Sequence, residues 1–174
     1  MTEPVLETKR LRLRALQPED AGHLALYAGD RRVAWMTTSI PHPYPPGGAE
    51  AYIASLEDSS DIVWAMIHRV SPEGALVGTI SLRASGEIGY WVGAPFWNAG
   101  FATEAVDAVI AFARVTGRAA LTATVFQDNP ASAKVLTKAG FDFVGEGEQF
   151  SIARNAAVPI WTYLHRLAKG ADAA

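Results

Sequence analysis

Apolar and polar residues alternate through Leu11-Arg12-Leu13-Arg14-Ala15-Leu16, which predicts a strand, and Pro18-Glu19-Asp20 then opens an amphipathic helix running to about Ala28. Residues 35–48 carry four prolines, two glycines and no Asp, Glu, Lys or Arg. They read as a stiff irregular segment, either a connector or one wall of a pocket, ahead of a helix over residues 49–58. Residues 62–70, 75–83 and 87–93 are β-rich runs joined by Ser-Pro-Glu-Gly and Ala-Ser-Gly turns, the pattern of an antiparallel meander. The period then changes. Ala102, Ala105, Val106, Val109, Phe112 and Ala113 follow helical spacing up to a stop at Gly117. A strand over residues 121–126 precedes a short helix with both ends marked, by Asn129 as N-cap, Pro130 in the first turn and Gly140 past the end. Residues 141–147 and 158–167 close the chain as strands. This order predicts an α+β fold with one mixed, mostly antiparallel sheet flanked by helices. A crossover helix lays the Leu121 strand parallel to the Glu87 strand.

Composition narrows the function classes. With 174 residues, 49% of them hydrophobic, the chain suffices for a single domain spanning 1–174. A net charge of −3 without a basic block argues against a direct nucleic-acid ligand. The absence of cysteine removes disulfides, thiolate metal sites and a cysteine nucleophile. His23, His42, His68 and His165 stand on different elements without ligand spacing, so no metal is expected. No stretch approaches the ~20 apolar residues that span a bilayer, nor does the start read as a leader, which makes a cytoplasmic protein the default expectation.

The candidate chemistry lies at Pro95-Phe96-Trp97-Asn98-Ala99-Gly100-Phe101-Ala102-Thr103-Glu104-Ala105, a tight turn between an aromatic strand and an alanine-rich helix. One glycine there is explained by turn geometry alone. A helix that aims its N-terminus into the gap between two diverging parallel strands also offers free N–H groups to a phosphate, with small residues where the ligand must approach the backbone. A dinucleotide fingerprint is not the source, because neither a second spaced glycine nor the βαβαβ order is present.

The segments Glu87–Ala105 and Thr122–Gly147, with the opening run from Leu6 to Ala21, resemble the GNAT acyl-CoA-dependent N-acetyltransferases, in the branch of the ribosomal-protein alanine acetyltransferases. The likeness spans roughly residues 6 to 165. The superfamily pattern (Gln/Arg)-x-x-Gly-x-(Gly/Ala) falls on Trp97, Gly100 and Ala102; Trp97 departs from the general pattern and agrees with this branch. The resemblance implies a splayed sheet and acetyl-CoA as co-substrate. It lays the diphosphate on the backbone of Asn98, Ala99, Gly100, Phe101, Ala102 and Thr103, and pairs the pantetheine with the strand near Trp91 and Val92. A β-bulge is expected around Gly89.

The same resemblance distributes the catalytic roles. Glu87 takes the place of a general base acting through water, its alternative being a solvated strand glutamate. Asn129 and Ser132 form the Asn-x-x-Ser motif of the branch, with Asn129 on the pantetheine arm and Ser132 donating to the sulfur. Their alternatives are a helix cap and an exposed first-turn serine. Many relatives carry a general-acid tyrosine seven residues after that asparagine, where Leu136 stands here. Val92 N–H is the expected donor to the thioester oxygen. Glu104 is either a helix-dipole partner or a catalytic group, and Glu146 and Tyr90 are further pocket candidates. Trp35, Tyr44 and Tyr90 are expected to contact the acceptor, a primary amine on a small molecule or a protein N-terminus. Homodimerisation is compatible with this reading. Rival readings are a non-catalytic acyl-CoA-binding or partner-binding domain, and an enzyme using a longer acyl donor.

Overall fold

The computed structural model describes residues 3–71 and 74–168. The chain runs through β1 (Leu6–Glu7), β2 (Leu11–Ala15), α1 (Ala21–Ala28), α2 (Arg31–Ala34), α3 (Gly48–Ser55), β3 (Ile62–His68), β4 (Leu76–Leu82), β5 (Ile88–Val92), α4 (Phe101–Val115), β6 (Ala120–Phe126), α5 (Pro130–Lys138), β7 (Asp142–Ser151) and β8 (Ala156–Arg166). The α+β order expected from the sequence is present. β1 and α2 are additions, each too short to show a period. No helix among the described residues is long and apolar enough to cross a membrane.

β3 lacks alternation because both of its faces are covered, so Val63 to Ile67 are all buried. Trp64 and Met66 join Leu11, Leu13, Ile80 and Leu82 in the core under α4, whose inward stripe is Ala105, Val106, Val109, Ile110 and Ala113. Ala65 and Ile67 face the other side, where α1 and α3 supply Leu24, Ala49 and Ile53. Each large side chain buried in this way contributes about 1.5–3 kcal/mol.

Two expectations need correction. The strands form two ladders, an antiparallel β1-β2-β3-β4-β5 sheet and a β6-β8-β7 sheet, rather than one continuous sheet. They meet at a single parallel bridge, Glu87 with Thr122, where Thr122 N–H donates to the Gly86 carbonyl at 3.0 Å. The crossover through α4 therefore sets the expected parallel direction, and past the bridge β5 and β6 part. The bulge expected at Gly89 is also absent. β5 pairs with β4 in unbroken register from Ile88 to Val92, and the register shifts lie at Met66/Ile67 and Phe143/Gly145. Close pairing here depends on Gly78, since a Cβ at that position would overlap the Trp91 carbonyl.

Candidate active site

β5 borders two cavities, and its pleat decides what each receives. Gly93 N–H donates to Val77 and Arg83 N–H to Glu87, so the odd residues of β5 bond to β4. The main-chain groups of Tyr90 and Val92 consequently point into the gap beside β6, with the Val92 carbonyl accepting from Trp97 Nε1 at 2.7 Å. Trp91, expected to pair through its backbone, bonds toward β4 instead and presents its side chain.

The first cavity, about 350 Å³, lies on the α1/α3 face. Its sheet wall is the stripe of Thr79 and Ser81 from β4, with Arg83 just past its end, and Gly89 and Trp91 from β5, with Glu87 just before its start. Gly89, lacking a side chain, leaves the middle of that wall open, and Ser81 Oγ bonds the Gly89 carbonyl at 3.3 Å. Glu87 is paired with Arg83 at 3.1 Å. Opposite stand Leu24 of α1, residues 36–41, Tyr44 and Tyr52. Tyr44 thus lines the chamber as expected. Trp35 does not: its ring lies under the guanidiniums of Arg31 and Arg154, at 4.5 and 5.4 Å.

Arg154, in the turn between β7 and β8, holds this wall in place. It donates to the Trp35 carbonyl at 2.8 Å and pairs with Asp128 at 2.6 Å, holding that carboxyl below the usual range. Ile152 N–H adds a bond to the Thr38 carbonyl at 3.0 Å. The irregular segment is therefore a pinned pocket wall.

The second cavity, about 680 Å³, opens over the N-terminus of α4. Asn98 at φ 59° and Gly100 at φ 82° both adopt left-handed backbone, a concavity of amide groups suited to an anion. Asn98, Gly100, Phe101, Ala102 and Thr103 line it. Ala99 is turned away, its carbonyl accepting from Arg10 Nη1 at 2.7 Å. Arg10 in turn donates to Glu104, through Nε at 2.8 Å and its own N–H at 2.7 Å, and Thr8 Oγ1 donates to the same carboxylate. Burial pushes the Glu104 carboxyl up, but these donors outweigh it and hold the group below the usual carboxylate range. Glu104 therefore anchors the turn from behind, outside the cleft. Lys134, Lys138 and Arg32 stand at the open end.

Met36, Thr37, Tyr90, Trp91, Asn129 and Ser132 line both cavities, so the two join there. Asn129 caps α5, its Oδ1 accepting from Ser132 N–H at 3.4 Å. Tyr90 Oη lies 2.9 Å from Ser132 Oγ and 3.1 Å from the Ser132 carbonyl. Burial pushes the Tyr90 phenol up to about 12, with the Ser132 bond pulling it partly back. Leu136 is wholly buried in the core. Glu146 is exposed on β7 opposite Trp161, away from both cavities. Among the described residues no group of three or more His, Cys, Asp or Glu could hold a metal. Sequence reasoning missed Arg10 and Arg154, whose partners lie 94 and 26 residues away. It also missed the β4 stripe, although polar Thr79, Ser81 and Arg83 alternate with Gly78, Ile80 and Leu82.

Two sheets parting over a helix N-terminus, with a walled chamber joined to the gap, define the acetyltransferase class of fold. The chain belongs to the GNAT family: residues 10–142 match the family described as the acetyltransferase (GNAT) domain. It is 30% identical to the uncharacterized N-acetyltransferase YoaA of Bacillus subtilis (strain 168), over 84% of this chain and 88% of that protein. Its fold is similar to that of RimL, a ribosomal L7/L12 alpha-N-protein acetyltransferase solved with coenzyme A, at TM-score 0.80 and 15% identity, covering 96% of this chain and 100% of that one. MccE, a microcin C7 self immunity acetyltransferase solved with acetyl-CoA and AMP, superposes at TM-score 0.78 and 16% identity, over 92% and 94% of the two chains.

Proposed function

We propose that this chain transfers an acetyl group from acetyl-CoA to a primary amine by direct attack on the thioester. The observation that carries the proposal is the joining of the two cavities at Tyr90 and Ser132. Acetyl-CoA as donor is supported by its presence with MccE, by coenzyme A with RimL, and by the left-handed Asn98 and Gly100 turn that aims backbone amides into the cleft. Asn98, Gly100, Phe101, Ala102 and Thr103 would hold the diphosphate, and Lys134 and Lys138 would favour the anionic end. Ala99 contributes by fixing the turn to Arg10.

The amine must first lose a proton. Glu87 is the only carboxylate lining the acceptor chamber among the described residues, and it takes that proton through water, since it lies about 10 Å along the strand from Tyr90. As the amine nitrogen bonds the acetyl carbon, Val92 N–H, directed into the gap, donates to the carbonyl oxygen. When the carbon–sulfur bond breaks, Ser132 Oγ–H donates a hydrogen bond to the leaving thiolate, which takes up, through water, the proton that the attacking nitrogen releases. Tyr90, its phenol raised to about 12 by burial, keeps its proton and fixes the Ser132 hydroxyl through the bond between Oη and Oγ. Asn129 would contact the pantetheine arm while capping α5.

Release of free CoA from acetyl-CoA, followed across an amine panel, tests this function. Amine-dependent release is the expected result. Tight acetyl-CoA binding without release for any amine would leave a binding domain of the same fold.

A further inference from the structure

The two cavities differ in charge. The donor cleft is lined by Arg32, Lys134 and Lys138 against the single carboxylate of Asp128, which Arg154 already neutralises. The acceptor chamber is lined by two charged residues among those described, Arg83 and Glu87, and they are bonded to each other at 3.1 Å. The other polar groups on its walls are uncharged, among them the hydroxyls and amide of Thr79, Ser81, Tyr44, Tyr52, Thr124 and Gln149.

From this we infer that the acceptor is a compact monoamine whose remaining groups are uncharged hydrogen-bonders, such as an amino sugar or an amino-acid amide. The inference rests on the transferase reading above and narrows its substrate class. An amine enters as an ammonium ion, and Glu87, acting through water, is the one carboxylate on the walls able to take its proton. A second cation on the same molecule finds no carboxylate but Glu87, whose charge Arg83 already balances, and a charge taken out of water without a partner is costly. A second carboxylate or phosphate meets only Arg83, which cannot serve it without leaving Glu87. Hydroxyls and amides, by contrast, match the stripe on β4, and Gly89 adds no side chain to the wall between Glu87 and Trp91. The chamber selects by what it lacks as much as by what it offers.

The test compares kcat/KM for glucosamine and alaninamide with that for spermidine, kanamycin and an N-terminally acidic peptide, using the intact chain and acetyl-CoA at saturation. One of the uncharged-bodied monoamines is expected to lead every charged acceptor by about tenfold or more. Leadership by spermidine, kanamycin or the acidic peptide overturns the proposal. Ser81→Asp places a second carboxylate on the wall and is expected to raise the spermidine to glucosamine ratio about tenfold; an unchanged ratio in a folded Ser81→Asp protein also overturns it. Should that variant fail to fold, the wild-type panel alone decides. Acetyl-CoA affinity is measured alongside by calorimetry. Affinity without turnover for any amine removes the transferase reading and this one together, whereas turnover led by a polycation removes only this one.

Discussion

Tyr90 on β5 and Ser132 in the first turn of α5 are hydrogen-bonded across the opening between the two sheets, Oη to Oγ at 2.9 Å. The pair stands at the junction of the two cavities, one helical turn before the buried Leu136 of α5. Ser132→Ala is expected to lower kcat by about 10² while leaving acetyl-CoA affinity nearly unchanged, because the bond to sulfur strengthens as charge develops. Tyr90→Phe should lower kcat by about fivefold, the worth of one hydrogen bond near 1 kcal/mol. In the double variant the Tyr90 effect should vanish, since it acts through the Ser132 hydroxyl. Steady-state kinetics on the three proteins checks this, and additive losses would separate the two residues.

The turn proposed to hold the diphosphate can be tested without confusing strain with binding. Gly100 has φ 82°, and Gly117, past the far end of α4, has φ 78° with nothing within 4 Å of where a Cβ would stand. Alanine at either site should cost about 1–2 kcal/mol, since each forces an L side chain into left-handed backbone. Only Gly100→Ala should also weaken acetyl-CoA binding, because its Cβ would stand 3.2 Å from Arg10 Nη2 and disturb the anchor of the turn. Calorimetric titration of both variants checks the difference. Equal affinities would remove the phosphate turn from the site.

These relationships show which features the sequence makes legible. Helical spacing along α4, the Asn129 cap and the glycines at the helix ends are local signals, and each falls where expected. The Glu87–Thr122 bridge is a tertiary contact, and no local pattern distinguishes a sheet that continues from one that parts after a single pair. Trp35 is misread from sequence for a similar reason. Its neighbours are polar-loop residues, which suggest an open pocket wall, whereas the distant Arg154 draws its ring away from the chamber. Tyr90 is legible as a pocket residue but its partner is not, because the bond to Ser132 spans 42 residues.

Arg154 pins the wall made by residues 36–41 through the Trp35 carbonyl and Asp128. Arg154→Met keeps an unbranched apolar side chain but removes those bonds and the guanidinium that lies over Phe126 and Trp35. The acceptor KM is expected to rise about threefold to tenfold with little change in kcat or in acetyl-CoA affinity, the pattern of lost acceptor positioning. A change confined to acetyl-CoA affinity would place the clasp on the donor side instead.

Glu104 links the turn to acid stability. Its carboxyl is held below its unfolded value by Thr8 and Arg10 after burial is overcome, so it contributes stability above the unfolded pKa, and that contribution is lost as pH falls through the folded one. Glu104→Gln should therefore cost on the order of 1–2 kcal/mol at neutral pH and nothing once the wild-type carboxyl is protonated. Urea unfolding of both proteins at pH 7 and at successively lower pH reads the gap. A gap independent of pH would mean that the charge is not what holds the turn.

Glu87 gives the test that bears most directly on catalysis. Its carboxylate faces the chamber on the same side as Gly89 and Trp91, while Tyr90 points through the opening on the other. A base reaching the amine through water should make kcat/KM rise with pH along a limb set by the base, the free amine, or both, because amine acceptors are mostly protonated near neutrality. Glu87→Gln keeps size and the bond to Arg83 while removing the proton acceptor. The loss at neutral pH is expected to be about 10² to 10⁴ and to shrink at high pH, where the amine arrives already neutral. Acetyl-CoA affinity should not move, since the donor is held on the other side of β5. Arg83→Met supplies the complementary arm: it frees the carboxylate from its partner and should leave the high-pH plateau intact. A Glu87→Gln protein with the wild-type pH–rate profile would return Glu87 to a role in the ion pair alone and pass proton removal to solvent.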